Sequence, residues 1–141
     1  MNYYKVTEKF LYNYSSLKAS IENMKQEIKE MDYKEPSGID YKKEPTGKTN
    51  AFYSPTEEAA IYTADKKSLL EHRIKITEGK IDRIDRAIKA LNDTERQIVK
   101  ERYLSGKQWW QVAYSVMINE RWCREIRRRA VNKVAIGLFG E

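Results

Sequence analysis

The 141-residue sequence predicts an all-α fold: an N-terminal helical hairpin of the antiparallel coiled-coil type, followed by a helix-turn-helix domain. Three observations carry that expectation. Apolar residues recur at alternating spacings of four and three through two separate stretches, from Phe10 to Met31 and from Leu70 to Leu91. Two strings, Ser54-Pro55-Thr56-Glu57 and Asn92-Asp93-Thr94-Glu95, have the form of helix starts, with a capping side chain and a glutamate three residues on. Near the C-terminus, two short helical patterns hinge at Met117-Ile118-Asn119.

Residues 1–32 form the first helix of an arm. Phe10, Tyr14, Leu17, Ile21, Met24, Ile28 and Met31 make a heptad seam with Lys, Glu and Gln on the other faces, which predicts a helix from about Thr7 to Asp32. Residues 33–54 hold Pro36, Gly38, Pro45 and Gly47 and show neither periodicity, so a flexible loop is expected there. The second long helix occupies residues 55–91, with Leu70, Ile74, Thr77, Ile81, Ile84, Ile88 and Leu91 as its seam. Gly79 interrupts it at a cost of roughly 1 kcal/mol relative to Ala and is a candidate bend. The two seams can pair with each other or with a second chain, and both pairings use the same residues.

Residues 92–141 form the last domain. Asn92 starts a helix over about 93–104, and helices over 108–116 and 120–136 follow after breaks at Ser105-Gly106-Lys107 and Met117-Ile118-Asn119. Ile98, Val112, Ala113, Val116, Ile118, Cys123, Ile126, Ala130 and Val134 form an inner set at helical spacing. The apolar tail from Ala135 to Phe139 is expected to pack back on the bundle, with Gly137 ending the helix.

Charge is unevenly placed. The net charge is +6, and from Thr94 onward ten Lys/Arg face five Asp/Glu, leaving only +1 for the first 93 residues. A positive excess in the C-terminal third is the electrostatic footprint of a nucleic-acid partner, although basic solvated surfaces are common. The single cysteine, Cys123, excludes an internal disulfide and fits a reducing compartment. No apolar run suits a cleavable leader or a membrane span, so a soluble cytoplasmic protein without membrane contact is expected. His72 is alone, and no ligand cluster, glycine-rich phosphate loop or nucleophile–base pair is visible. No catalytic residue, metal site or cofactor is therefore expected, and an enzyme is not the expected class.

The string Leu91-Asn92-Asp93-Thr94-Glu95-Arg96-Gln97-Ile98-Val99-Lys100-Glu101-Arg102-Tyr103 resembles the opening of the region-four domain of bacterial sigma factors. Val112-Ala113 and Ile118 fall where that domain keeps its scaffold helix and turn, while Arg124-Glu125-Ile126 and Ala130 to Val134 resemble its recognition helix. This likeness spans about residues 91–135. With its helical arm and the string Trp109-Trp110-Gln111-Val112-Ala113, the whole chain is similar to phage-encoded transcription regulators of the ArpU and RinA type. The resemblance implies a sigma region-four-like helix-turn-helix acting on double-stranded DNA in a bacterial host, close to the nucleoid.

Asn119 can cap the last helix and place Glu120, Arg121, Arg124 and Glu125 on its exposed first turns. By resemblance those four occupy base-facing positions, where arginine can bond a guanine edge and glutamate can accept from cytosine. Consecutive residues on a helix lie ~100° apart, so Arg127, Arg128 and Arg129 cannot share one face. Arg128 is assigned to the groove side, Arg127 and Arg129 to phosphate or intramolecular pairing, and Lys107 to phosphate. Trp109 shares the face of Val112 and belongs in the core. Trp110 and Trp122 do not, and suit contact with the arm or a surface for RNA polymerase ahead of base stacking. The leading expectation is a late-gene activator working with host RNA polymerase, with a homodimer as a further option. A small terminase-type packaging protein and a helical module that binds an acidic protein are the alternatives.

Overall fold

In a computed structural model the protein is described over residues 1–34 and 55–141, and over these residues it is all-helical with no strand. The helices are α1 (Tyr3–Tyr12), α2 (Tyr14–Lys34), α3 (Pro55–Lys89), α4 (Asp93–Val99), α5 (Trp109–Val116) and α6 (Glu120–Phe139). A π-helical turn, Lys100–Leu104, extends α4. The expected loop over 33–54 and the capping role of Ser54 lie largely outside the described residues. No helix among the described residues is long and apolar enough to cross a membrane.

The chain divides into two compact units. One comprises Met1–Ala19 with Glu78–Glu141, the other Ser20–Thr77. In the second unit, Lys66 and Lys67 of α3 form ion pairs with Glu27 and Asp32 of α2, at 3.1 and 3.0 Å. Among the described residues its buried hydrophobic side chains are Ile21, Leu70 and Ile74.

The first unit departs from the sequence expectation at its start. The helix begins at Tyr3, where the Asn2 side chain accepts the Lys5 N–H (3.1 Å). It then breaks at Asn13, whose φ of −89° and ψ of 0° leave the α region. The Leu17 N–H returns to the Asn13 carbonyl (2.8 Å), so α2 resumes within one residue. Because of the break, α1 buries Thr7 and Leu11 in place of the single row through Phe10. Phe10 instead lies beside Phe139 of α6 (ring centroids 6.3 Å), as does Tyr3 (5.1 Å). Tyr14 is buried on the far side of the break and its hydroxyl donates to Asp85 (2.6 Å).

The C-terminal end of α3 leaves carbonyl groups without helical donors. Arg96 supplies them: its guanidinium donates to the carbonyls of Lys89 (3.0 Å) and Leu91 (2.6 Å) and pairs with Asp93 (3.1 Å). One turn earlier, Asn92 and Glu95 exchange the two bonds of a capping box, 2.8 and 3.1 Å. The buried Glu95 carboxylate also receives Lys133 from α6 (2.8 Å), which ties the α4 start to the last helix.

The inner set assembles as a core. Ile98, Val112 and Cys123 are buried, with Trp109, Ala113, Val116, Ile118 and Ile126 packed around them. Ala130, Val131, Val134 and Ala135 continue the buried face of α6. The helix does not stop at Gly137, as expected from sequence, but runs to Phe139 and ends at Gly140 (φ 80°). A Cβ at Gly137 would come within 3.0 Å of the Ala87 Cβ, so this glycine is used for close approach of α6 to α3.

Met117 closes α5 in the left-handed region (φ 60°, ψ 40°), a conformation that penalises a side chain by about 1–2 kcal/mol. Its side chain is 90 % exposed and contributes little packing. Met117→Gly is therefore expected to stabilise the protein by about 0.5–1 kcal/mol. A urea-denaturation midpoint that falls in this variant would show the strain argument to be wrong.

Candidate nucleic-acid interface

The turn between α5 and α6 fixes where α6 begins. After Met117, Ile118 turns inward to the core and Asn119 takes an extended backbone. The Asn119 side chain accepts the Trp122 N–H (2.8 Å) and so caps α6 at Glu120. From that start, the 100° step of a helix sorts the side chains. Cys123, Ile126, Ala130 and Val134 go to the core. Arg121, Glu125, Arg128 and Asn132 fall on the opposite, exposed side.

The expected base-facing residues therefore divide into two groups. Arg121, Glu125 and Arg128 lie together on the exposed face, with no ion pair among the described residues. Glu120 and Arg124 lie one step around and approach each other at 4.0 Å. Arg124 also sits over the Trp109 ring, 5.8 Å from its centroid.

The expected phosphate contacts differ more. Arg127 is turned inward, where its guanidinium lies 3.6 Å from Glu8 of α1 and donates to the Tyr103 hydroxyl (3.4 Å). That hydroxyl donates in turn to Glu8 (2.6 Å). Burial and the Glu8 bond push the Tyr103 hydroxyl far above its ordinary range, so it remains a donor. For Arg127, burial is outweighed by the anionic and hydroxyl partners, and its pKa is raised. Of the two roles the sequence allows this residue, the geometry provides the intramolecular pair.

Lys107 is held as well. Its ammonium group contacts Glu101 at 2.8 Å, and its carbonyl accepts from Arg102 (3.0 Å). Arg129 stacks over Trp122 (5.3 Å) and remains exposed beside a cleft lined by Asn92, Asp93, Thr94 and Glu95.

Sequence reasoning missed the hub of this region. Trp109 is half-buried, and three guanidinium groups surround its ring: Arg102 at 4.8 Å, Arg127 at 5.1 Å and Arg124 at 5.8 Å. The indole face attracts each cation, and the ring spaces three like charges that water would otherwise separate. The high count of arginines gave a signal for this, but Arg102 comes from the π turn and nothing local in the sequence marks it. Sequence reading also passed over Tyr114, which is exposed on α5 with Trp110, next to the exposed Met117 at the C-cap. Trp110 is exposed and donates to the nearby Gln108 (3.0 Å).

Glu101 anchors the loop before α5. Burial would raise its pKa, but hydrogen bonds from Lys107, Ser115 and Gln97 together outweigh that and hold it below the usual 4.5. The sign follows from linkage: a lowered carboxylate pKa stabilises above the unfolded value, and the benefit is lost as pH falls through the folded one. Glu101→Gln is expected to cost about 1–2 kcal/mol at pH 7, with the gap to wild type closing in acid below pH 4.5. Equal destabilisation at neutral and acidic pH in urea titrations would contradict this.

Cys123 is fully buried and burial raises its thiol pKa, while His72 is exposed. Among the described residues no group of three or more His, Cys, Asp or Glu could hold a metal ion. No curated protein and no solved structure matches the chain. A family model described as "Protein of unknown function (DUF722)" matches residues 3–135, and the chain belongs to that family.

Proposed function

We propose that this protein is a sequence-specific, non-enzymatic DNA-binding regulator. In this reading α5 and α6 form a helix-turn-helix resembling sigma region four, the arm is a helical hairpin, and α6 is the recognition helix. The observation that supports it most is the exposed face of a capped α6, which presents Arg121, Glu125 and Arg128 without an ion pair among the described residues. A twenty-residue helix with one face buried and a cationic row on the other has the dimensions of a major-groove reader. Arg124, near the Trp109 ring, extends the same positive surface, and Arg129 supplies a neighbouring phosphate contact.

The regulator would act in the bacterial cytoplasm on phage or prophage late promoters with host RNA polymerase, as the likeness to ArpU- and RinA-type proteins implies. Trp110 and Tyr114 on α5, with Met117 at its C-cap, leave exposed apolar side chains, a surface suited to a protein partner such as the polymerase. Genome-wide immunoprecipitation with sequencing, paired with mobility shifts across salt, tests the reading. Discrete enriched sites sharing a motif, and affinity that falls steeply with salt, are expected. Scattered signal without a motif would end the promoter-specific reading.

A further inference from the structure

The three guanidinium groups around Trp109 are not compensated alike. Arg127 lies 3.6 Å from Glu8, and Arg124 approaches Glu120 at 4.0 Å. Arg102 meets no carboxylate among the described residues. Its Nη1 donates to the neutral Lys107 carbonyl (3.0 Å), and its charge otherwise faces the indole ring at 4.8 Å. Its Nε is buried and bonds to nothing, while Nη2 has no partner among the described residues and is not buried. A guanidinium carries five N–H donors, and here most of them stand idle. A half-buried cation beside two others, with no anion of its own, is costly unless an anion arrives from outside. Lys107, the cation that the sequence marks for a phosphate in this loop, is already neutralised by Glu101 at 2.8 Å.

We propose that Arg102 holds one phosphodiester of the DNA backbone, beside the face that α6 offers to the bases. The inference rests on the DNA-binding reading and adds to it a contact from outside α6. At Trp109 the cations Arg102, Arg124 and Arg127 meet the carboxylates of Glu8 and Glu120, which leaves a surplus of one positive charge. A phosphodiester carries one negative charge and matches that surplus. The position fits as well, because Arg124 of α6 shares the ring with Arg102, and Arg121 and Arg128 are exposed on that same helix. A phosphate contact beside a reading helix sets its register on the duplex without carrying sequence information. The Lys107 carbonyl and the indole already restrain the Arg102 fork, so little side-chain freedom is lost when Nη2 meets a phosphate oxygen.

Fluorescence-anisotropy titration of the full chain with labelled duplex, repeated across salt, tests it. Between about 50 and 200 mM salt the wild type should lose about threefold more affinity than Arg102→Ala, because the variant releases one counterion fewer. At fixed salt the variant should weaken on the preferred site and on random duplex alike. Arg102→Lys should keep the wild-type salt slope, since the charge remains. A second readout is independent of any loosening of the loop. On duplexes with a single methylphosphonate, which removes one backbone charge, the wild type should weaken at one position to which Arg102→Ala is indifferent. An unchanged salt slope in Arg102→Ala, a slope equally reduced in Arg102→Lys, or the same response of both proteins at every methylphosphonate overturns the proposal and leaves the DNA-binding reading standing. A wild type whose binding to duplex ignores salt, or that binds no duplex, overturns both.

Discussion

Arg127→Ala is expected to lower the free energy of unfolding by about 2–3 kcal/mol, the largest stability effect among the arginines of α6. The guanidinium joins Glu8 and Tyr103 and lies 5.1 Å from the Trp109 centroid, so three elements lose a partner at once. Removing one member of a buried pair leaves the other charge desolvated, which costs about 3–5 kcal/mol when burial is complete. Here the Arg127 and Glu8 side chains remain 24 % and 23 % exposed, so water recovers part of that cost. Glu8→Gln should be milder, because Tyr103 can still donate to the amide oxygen. Chemical denaturation of both variants checks the order. If Arg127→Ala melts like wild type while its affinity for random DNA falls, the side chain serves phosphate contact and the inward geometry is not the one that matters.

Arg127 also shows where sequence reading reaches its limit. Asn92 with Glu95, and Asn119 with Trp122, were legible because each bond spans three residues and uses residue types that suit few other roles. The core of Ile98, Val112 and Cys123 was legible from helical spacing. The role of Arg127 was not, since its partner Glu8 lies more than a hundred residues away in α1 and a helical wheel shows only which face a residue occupies. Lys107 is a local case of the same limit: Glu101 is six residues distant, but the π turn that brings them together has no sequence signature. The break at Asn13 was hidden for a different reason. A seam of apolar residues continues across it, and periodicity does not register a single residue leaving the helical region. Glycine often ends helices, which makes Gly137 an expected stop, whereas the close approach of Ala87 gives it a packing use.

The second large effect concerns α6 itself. Arg121→Ala/Arg128→Ala is expected to weaken binding to the preferred DNA site by about 1–3 kcal/mol per lost base contact, roughly fivefold to 150-fold for each, with thermal stability unchanged. Stability should hold because both side chains are exposed and neither forms an ion pair among the described residues. Arg129→Ala provides the comparison. Its guanidinium stacks on Trp122 at the edge of the exposed face, where a phosphate contact would weaken specific and random DNA alike and reduce the salt slope by about one. Arg124→Ala should fall between these, because its charge is shared with Glu120 and the Trp109 ring. Competition binding against random duplex resolves the three patterns. If Arg121→Ala/Arg128→Ala weakens both duplexes equally while Arg129→Ala relaxes sequence preference, α6 would have to meet the groove along its Trp122 edge. The cap at Asn119 would then present a different row of α6 to the bases, and the helix would be rotated by about one residue's turn, ~100°, from the orientation argued above.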